Sequence, residues 1–181
     1  MCYYESAMEE LIKQKIREIP NWPKRGVNFK DITPLIEDKG AFNRVIEEMA
    51  RPYLDQRIDK IVGIDARGFI LASALAYKLN SGVAIVRKKG KLPWKTISKE
   101  YILEYGKNTI EIHKDSVLPG ERVLIVDDLL ATGGTMRAAI DLIEELGGKI
   151  VGVDFLIELS FLNGREKLKN YNIRSLVEYQ A

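Results

Sequence analysis

The chain has one cysteine, Cys2, and one histidine, His113, among 181 residues. A lone cysteine forms no intramolecular disulfide, which points to a reducing compartment. A lone histidine excludes zinc sites built on two, and a single cysteine beside it leaves no structural zinc cluster. An excess of one charge is also missing: 28 Lys and Arg against 26 Asp and Glu give a net charge of +2. No general attraction to nucleic acid or to an anionic membrane follows, so any bound anion must be held by a local site. No apolar run approaches the roughly 20 residues that a membrane helix requires. Glu5, Glu9 and Glu10 lie in an N-terminal stretch without an apolar segment, which does not read as a secretory signal. The expectation is a soluble cytoplasmic protein with no nucleic-acid or membrane partner. Repeats and low-complexity tracts are absent, and the length suits one domain, 1–181.

What is present alternates between two periods. Met8, Leu11, Ile12, Ile16 and Ile19 fall at helical spacing and predict a helix over Met8–Ile19, ended by Pro20. Pro20–Pro34, rich in Pro and Gly, reads as irregular connection. A second helix is predicted over Ala41–Leu54, then a strand at Lys60–Ile64, a helix at Phe69–Leu79 and a strand at Val83–Val86. Tyr101–Tyr105 and Thr109–His113 flank Gly106-Lys107-Asn108 and read as an antiparallel hairpin, with His113 on a surface strand. Val123–Val126 is a fully apolar strand, Met136–Leu146 a helix stopped by Gly147-Gly148, and Ile150–Ile157 a further strand. Apolar strands alternating with helices predict an α/β domain around a mostly parallel sheet covered on both faces.

The most informative run is Val123-Leu124-Ile125-Val126-Asp127-Asp128-Leu129-Leu130-Ala131-Thr132-Gly133-Gly134-Thr135. A buried strand is expected to end in two carboxylates, and a turn of small residues then opens a helix. Backbone N–H groups converge at such a turn, and the helix dipole favours an anion there. Gly133 and Gly134 let the backbone approach a phosphate, while Thr132 and Thr135 offer hydroxyls. Asp127 and Asp128 would repel a phosphate but can accept ribose hydroxyls or stand near a magnesium shell. Ribose 5-phosphate satisfies both halves. No G-x-x-x-x-G-K-[ST] and no G-x-G-x-x-G after a strand is present, which sets aside a triphosphate P-loop and a dinucleotide site.

The run resembles the phosphoribosyl pyrophosphate signature of the type I phosphoribosyltransferases. Further segments resemble the adenine phosphoribosyltransferase family: Pro23–Pro34, Asp65-Ala66-Arg67-Gly68-Phe69, Arg87–Pro93, Tyr101–Gly106 and the late run from Glu158-Leu159 to Leu168. The resemblance implies one α/β domain with a central, mostly parallel sheet flanked by helices. It adds an N-terminal hood with the base-site loop at 1–34 and a flexible hairpin at 95–116. It implies transfer of the phosphoribosyl group from 5-phosphoribosyl 1-pyrophosphate to adenine, giving AMP and pyrophosphate in purine salvage.

It also implies residue roles. Ala131, Thr132, Gly133, Gly134 and Thr135 would hold the phosphate, and Asp127 and Asp128 the ribose and its associated magnesium. Asp65, Ala66, Arg67, Arg87, Lys88 and Lys91 would face pyrophosphate, with Arg67 stabilising the leaving group. Phe29 would stack on adenine, Leu159 would cover its other face, and backbone around Asn28 and Lys30 would pair with its edge. Glu104 would act as acid/base and Tyr105 in closure of the hairpin. Mg2+ is expected to arrive with the pyrophosphate ligand, with no protein ligand assigned, and a homodimer is implied. From the residues alone, Phe29 reads equally as a core anchor. Two other functions stay open at this point: a 6-oxopurine as the base, and a regulatory protein that binds phosphoribosyl pyrophosphate without catalysis.

Overall fold

The structure, a computed structural model, describes residues 2–102 and 107–180. The chain forms two compact units, 1–48 and 49–181. In the first, α1 (Cys2–Lys13) leads to an antiparallel ribbon of β1 (Arg17–Pro20) and β2 (Asn28–Asp31), followed by the short α2 (Thr33–Glu37) and by α3 (Lys39–Ala50), which runs into the second unit. The expected helix over Met8–Ile19 is therefore displaced: the observed helix starts earlier, at Cys2, and ends at Lys13. Met8, Ile12 and Ile16 are buried at helical spacing, but the chain tightens after Lys13 through Lys15 N–H to Ile12 O and Ile16 N–H to Lys13 O. From Arg17 onward, pairing with β2 supplies the backbone partners that a further helical turn would have supplied. Pro20 ends a strand instead of a helix. The Pro20–Pro34 stretch, expected to be irregular, contains β2 and the start of α2.

The second unit is built on a seven-stranded sheet of β3 (Lys60–Ile64), β4 (Gly82–Lys88), β5 (Thr96–Ile102), β6 (Lys107–His113), β7 (Arg122–Leu130), β8 (Lys149–Leu159) and β9 (Ile173–Tyr179). Their spatial order is β5-β6-β4-β3-β7-β8-β9; β4, β3, β7, β8 and β9 are parallel, and β6 and β5 join antiparallel at one edge. Helices α4 (Gly68–Leu79) and α5 (Gly134–Glu145) connect parallel strands. Val123, Leu124, Ile125 and Val126 in the middle of the sheet are fully buried. Each such side chain contributes about 1.5–3 kcal/mol by leaving water, so the strand that leads to the candidate site is held firmly.

Several boundaries differ from expectation. The helix expected to reach Leu54 gives way to a 3-10 turn at Arg51–Tyr53. Lys107 and Asn108, expected in a turn, belong to β6 and pair with Ile102 and Tyr101. The first hairpin strand begins earlier than expected, at Thr96. The last strand, β9, has no counterpart among the elements expected from sequence.

Candidate active site

Strand β7 does not stop at the acid pair. It carries Asp127 and Asp128 within the strand and continues to Leu130, because the ladder to β8 persists through Leu129↔Ile157 and Leu130↔Glu158. This corrects the expectation of a strand ending at the carboxylates. Ala131–Gly133 then turn the chain, and α5 starts at Gly134, at the carboxyl end of the sheet where open α/β folds take ligands. Gly133 sits at φ +75° as the N-cap, and its carbonyl accepts the first helical bond from Arg137 N–H at 2.9 Å. The N–H groups of that first turn lack intrahelical acceptors by geometry. Ala131, Thr132, Gly134 and Thr135 are half-exposed around it. The backbone thus presents a helix start of the kind that favours an anion.

The turn rests on a second one. A Cβ on Gly164 would collide with the Ala131 carbonyl oxygen, so the two backbones touch. Gly164 opens the 3-10 turn Gly164–Lys167, which is tied down by its neighbour Arg165. The Arg165 guanidinium forks onto Glu158, with Nε to Oε1 at 2.7 Å and Nη2 to Oε2 at 2.6 Å, and Ser175 Oγ donates to Oε2 at 2.7 Å. Glu158 is only 3% exposed. Burial pushes its carboxyl up, but the Arg165 fork and the Ser175 hydroxyl outweigh this and hold it below its usual range.

Asp128 is 6% exposed, and its Oδ2 lies 2.7 Å from Arg67 Nη2. The guanidinium meets that oxygen as an ion pair without the alignment of a formed hydrogen bond. Asp127 keeps part of its surface open, and its Oδ1 accepts the Asp128 N–H at 2.9 Å. A Cβ on Gly68 would approach this Oδ1 to 2.8 Å, so α4 can begin against the carboxylate only with glycine there. Burial raises both carboxyls, Asp127 well above its ordinary value with the neighbouring Asp128 charge adding to it; Arg67 works in the opposite direction on both.

Of the other expected pyrophosphate residues, the structure brings together Asp65, Arg87 and the Lys91 backbone. Asp65 Oδ2 accepts from Arg87 Nε at 3.1 Å, and Arg87 Nη1 donates to the Lys91 carbonyl at 3.3 Å. The Asp65–Ala66 peptide is cis. Lys88 and Lys91 are exposed. What shapes this basic loop was not apparent from sequence: buried Glu111 on β6 accepts N–H bonds at Oε1 from Gly90, Lys91 and Leu92, at 2.9, 3.1 and 3.0 Å. No sequence signal marks Glu111, since its pairing with Arg87 across the sheet exists only in the fold. Trp94, in the same loop, meets His113 edge-on at 6.3 Å, and the His113 ring is half-buried and bonded to the Pro93 carbonyl.

In the first unit, Asn28, Phe29 and Lys30 make up most of β2. Phe29 is half-exposed, unlike a core anchor, and meets Trp22 in a T-shaped contact at 4.4 Å. Leu159 closes β8 and is half-buried. Glu104 and Tyr105 lie outside the described residues.

A family model for the phosphoribosyl transferase domain matches residues 35–178. The adenine phosphoribosyltransferase of Trichlorobacter lovleyi is 54% identical over 172 residues, covering 95% of this chain and 100% of that protein. The chain belongs to the adenine phosphoribosyltransferase family. Solved structures of that family agree. The adenine phosphoribosyltransferase of Rhodothermus marinus superposes with a TM-score of 0.92 at 46% identity, covering 96% of this chain and 99% of that one. The adenine phosphoribosyltransferase of Saccharomyces cerevisiae, solved with D-2,5-dideoxy-2,5-imino-altritol 1,6-bisphosphate and adenine, gives 0.89 at 36% identity, covering 94% and 99%. The mostly parallel sheet flanked by helices is the adenine phosphoribosyltransferase fold, as the sequence implied.

Proposed function

We propose that the chain transfers the phosphoribosyl group of 5-phosphoribosyl 1-pyrophosphate to adenine, giving AMP and pyrophosphate in purine salvage. The observation that carries this reading is the cradle: an acid pair near the carboxyl end of β7, a turn of small residues and a glycine-capped helix start, with Arg67 against Asp128. That arrangement offers hydroxyl acceptors beside a phosphate site, which is the outline of ribose 5-phosphate.

In the reaction the ribose C1′–oxygen bond to pyrophosphate breaks, a bond from adenine N9 to C1′ forms, and the N9 proton leaves. The first-turn N–H groups of α5 and the Thr132 and Thr135 hydroxyls hold the 5′-phosphate. Asp127 and Asp128 accept the ribose hydroxyls and so orient C1′. Arg67, the Asp65–Ala66 peptide, Arg87, Lys88 and Lys91 face the departing pyrophosphate, where fixed cations stabilise the charge that builds. Phe29 stacks on the base, backbone at Asn28 and Lys30 reads its edge, and Glu104 moves the purine proton. Tyr105 helps the hairpin close and exclude water.

No group of three or more His, Cys, Asp or Glu able to hold an ion occurs among the described residues. Two adjacent carboxylates, one with an oxygen lacking a formed hydrogen bond, suit a Mg2+ shared with ligand phosphates. When bound, the ion supplies neutralisation of pyrophosphate charge. Asp127 and Asp128 would stand nearest to it.

We place the protein in the cytoplasm, supported by a single cysteine, and as a homodimer, supported by family resemblance. The decisive assay follows pyrophosphate release with Mg2+ and each of adenine, hypoxanthine, guanine and xanthine. Turnover with adenine and equal AMP is expected; turnover only with a 6-oxopurine, or with no base, overturns the proposal.

A further inference from the structure

The β1–β2 ribbon places residues in two sets. Glu18 stands opposite Lys30, Pro20 opposite Asn28, and Ile19 opposite Phe29. Side chains alternate along a strand, so Asn28 and Lys30 share the face of Glu18, and Phe29 projects from the other. The Glu18 carboxylate uses both its oxygens on that shared face. Oε1 lies 2.9 Å from Lys30 Nζ, and Oε2 accepts from Asn28 Nδ2 at 2.6 Å. One acid therefore bridges the two side chains that flank Phe29 in sequence.

We propose that Glu18 is a positioning residue for base recognition, clamping Asn28 and Lys30 from behind so that Phe29 and its adjoining backbone present one fixed orientation to adenine. The inference rests on the assignment of Asn28–Lys30 to the base. Four features support it. A two-stranded ribbon is marginal by itself, so cross-strand side-chain links decide how firmly it holds its twist. Lys30 is 6% exposed and Glu18 half-exposed, so the charge-assisted contact is shielded from water on the lysine side. The bonds from Lys30 and then Asn28 hold the Glu18 carboxyl below its usual range, so it is ionised at neutral pH. On the opposite face Trp22 braces the Phe29 ring edge-on, and Trp22 N–H is itself fixed to the Val27 carbonyl at 3.2 Å. Phe29 is thus held from both sides of the ribbon.

Backbone reading of a purine edge is sensitive to placement, and a misplacement of about 1 Å costs on the order of 100-fold in productive binding. Releasing the clamp should therefore act on adenine alone. Steady-state kinetics of Glu18→Gln, Glu18→Ala and Phe29→Ala, with melting curves, test this. Glu18→Ala is expected to raise the KM for adenine about 10-fold while the KM for phosphoribosyl pyrophosphate moves less than about twofold. Glu18→Gln, which keeps an acceptor for Asn28 but no charge for Lys30, should fall between it and wild type. If Glu18→Ala fails to fold, the adenine KM of Glu18→Gln decides the question. An unchanged adenine KM in both folded Glu18 variants, with Phe29→Ala impaired, overturns the clamp alone. Equal rises in both substrate KM values with a lowered melting point reduce Glu18 to a structural role and also overturn it. An unchanged adenine KM in Phe29→Ala removes the base assignment and the clamp with it.

Discussion

Gly133 and Gly164 meet backbone to backbone: a Cβ on Gly133 would lie 2.5 Å from the Gly164 carbonyl oxygen. Gly133 also sits at φ +75°, a region that costs an L-residue about 1–2 kcal/mol. Gly133→Ala therefore meets two penalties at the proposed phosphate cradle, one in its own backbone and one against a turn fixed by the Glu158–Arg165 pair. Because that turn cannot recede easily, the cradle must deform instead. The variant is expected to melt earlier and to lose at least about 10-fold in kcat/KM for phosphoribosyl pyrophosphate. Wild-type kinetics at saturating adenine would show that the close approach has no part in phosphate binding.

Arg67 and Asp128 act as a unit if the ion pair is the link between the pyrophosphate and ribose ends of the site. Arg67→Gln removes the cation that opposes the upward push of burial on the Asp128 carboxyl. Asp128→Asn removes the anion that orients Arg67. Each single variant should lose activity, and the double variant should lose less than the product of the two. A coupling free energy of about 0.5–3 kcal/mol is expected for contacting residues. Strict additivity of kcat/KM in the four-variant cycle would separate the two roles.

The contrast between what was legible and what was not follows the range of the interactions. Val123–Val126, the acid pair and the glycine-threonine run are contiguous, so the local pattern alone located the strand, the turn and the helix that follows. Arg17–Pro20 was misread because Ile16 and Ile19 fit a helical period, while the pairing of Ile19 with Phe29 spans a loop that no local period reports. Strand β9 is half-buried along much of its length, and its alternation of Ile173, Ser175 and Val177 is interrupted by Leu176, which weakens the signal. Glu111 looked like any hairpin acid. Its importance comes from three N–H groups some twenty residues earlier in the chain. Glu158, Arg165 and Ser175 are likewise joined by the β8–β9 pairing and the turn between those strands, and not by spacing.

Glu111 yields its own prediction. Its carboxylate is 4% exposed; burial pushes it up, yet the bonds from Leu92, Gly90 and Lys91 and the Thr96 hydroxyl bring it below its usual range. The acid therefore acts as an internal anion around which the basic loop folds. Glu111→Ala should free the loop bearing Lys91, and with it the Lys91 carbonyl that receives Arg87. Inhibition by product pyrophosphate is expected to weaken about 10-fold with little change in the KM for adenine. A pyrophosphate inhibition constant equal to that of wild type would disconnect Glu111 from the pyrophosphate site.

Asp154, in the middle of β8, governs a pH dependence of stability. It is 2% exposed, accepts from Tyr53 Oη at 2.8 Å and pairs with Arg174 at 3.2 Å. Burial raises its pKa from 3.8 to about 6, with Arg174 and the Tyr53 hydroxyl opposing the rise. A carboxyl raised on folding is protonated more readily in the folded chain than in the unfolded one. The folded state therefore holds the extra proton between those two values, and stability from this group falls as pH rises through that window, then levels off. Roughly two units correspond to about 3 kcal/mol. Other carboxylates titrate in the same range, so the readout is a difference. Urea unfolding of wild type and Asp154→Asn from pH 4 to pH 7.5 should give stabilities whose difference shifts against wild type by about 3 kcal/mol across the window. Asn keeps an acceptor for Tyr53, so the cluster retains that bond while losing its titrating group. Parallel curves for the two proteins would mean that Arg174 already holds Asp154 ionised in the folded state, and the burial argument would fail.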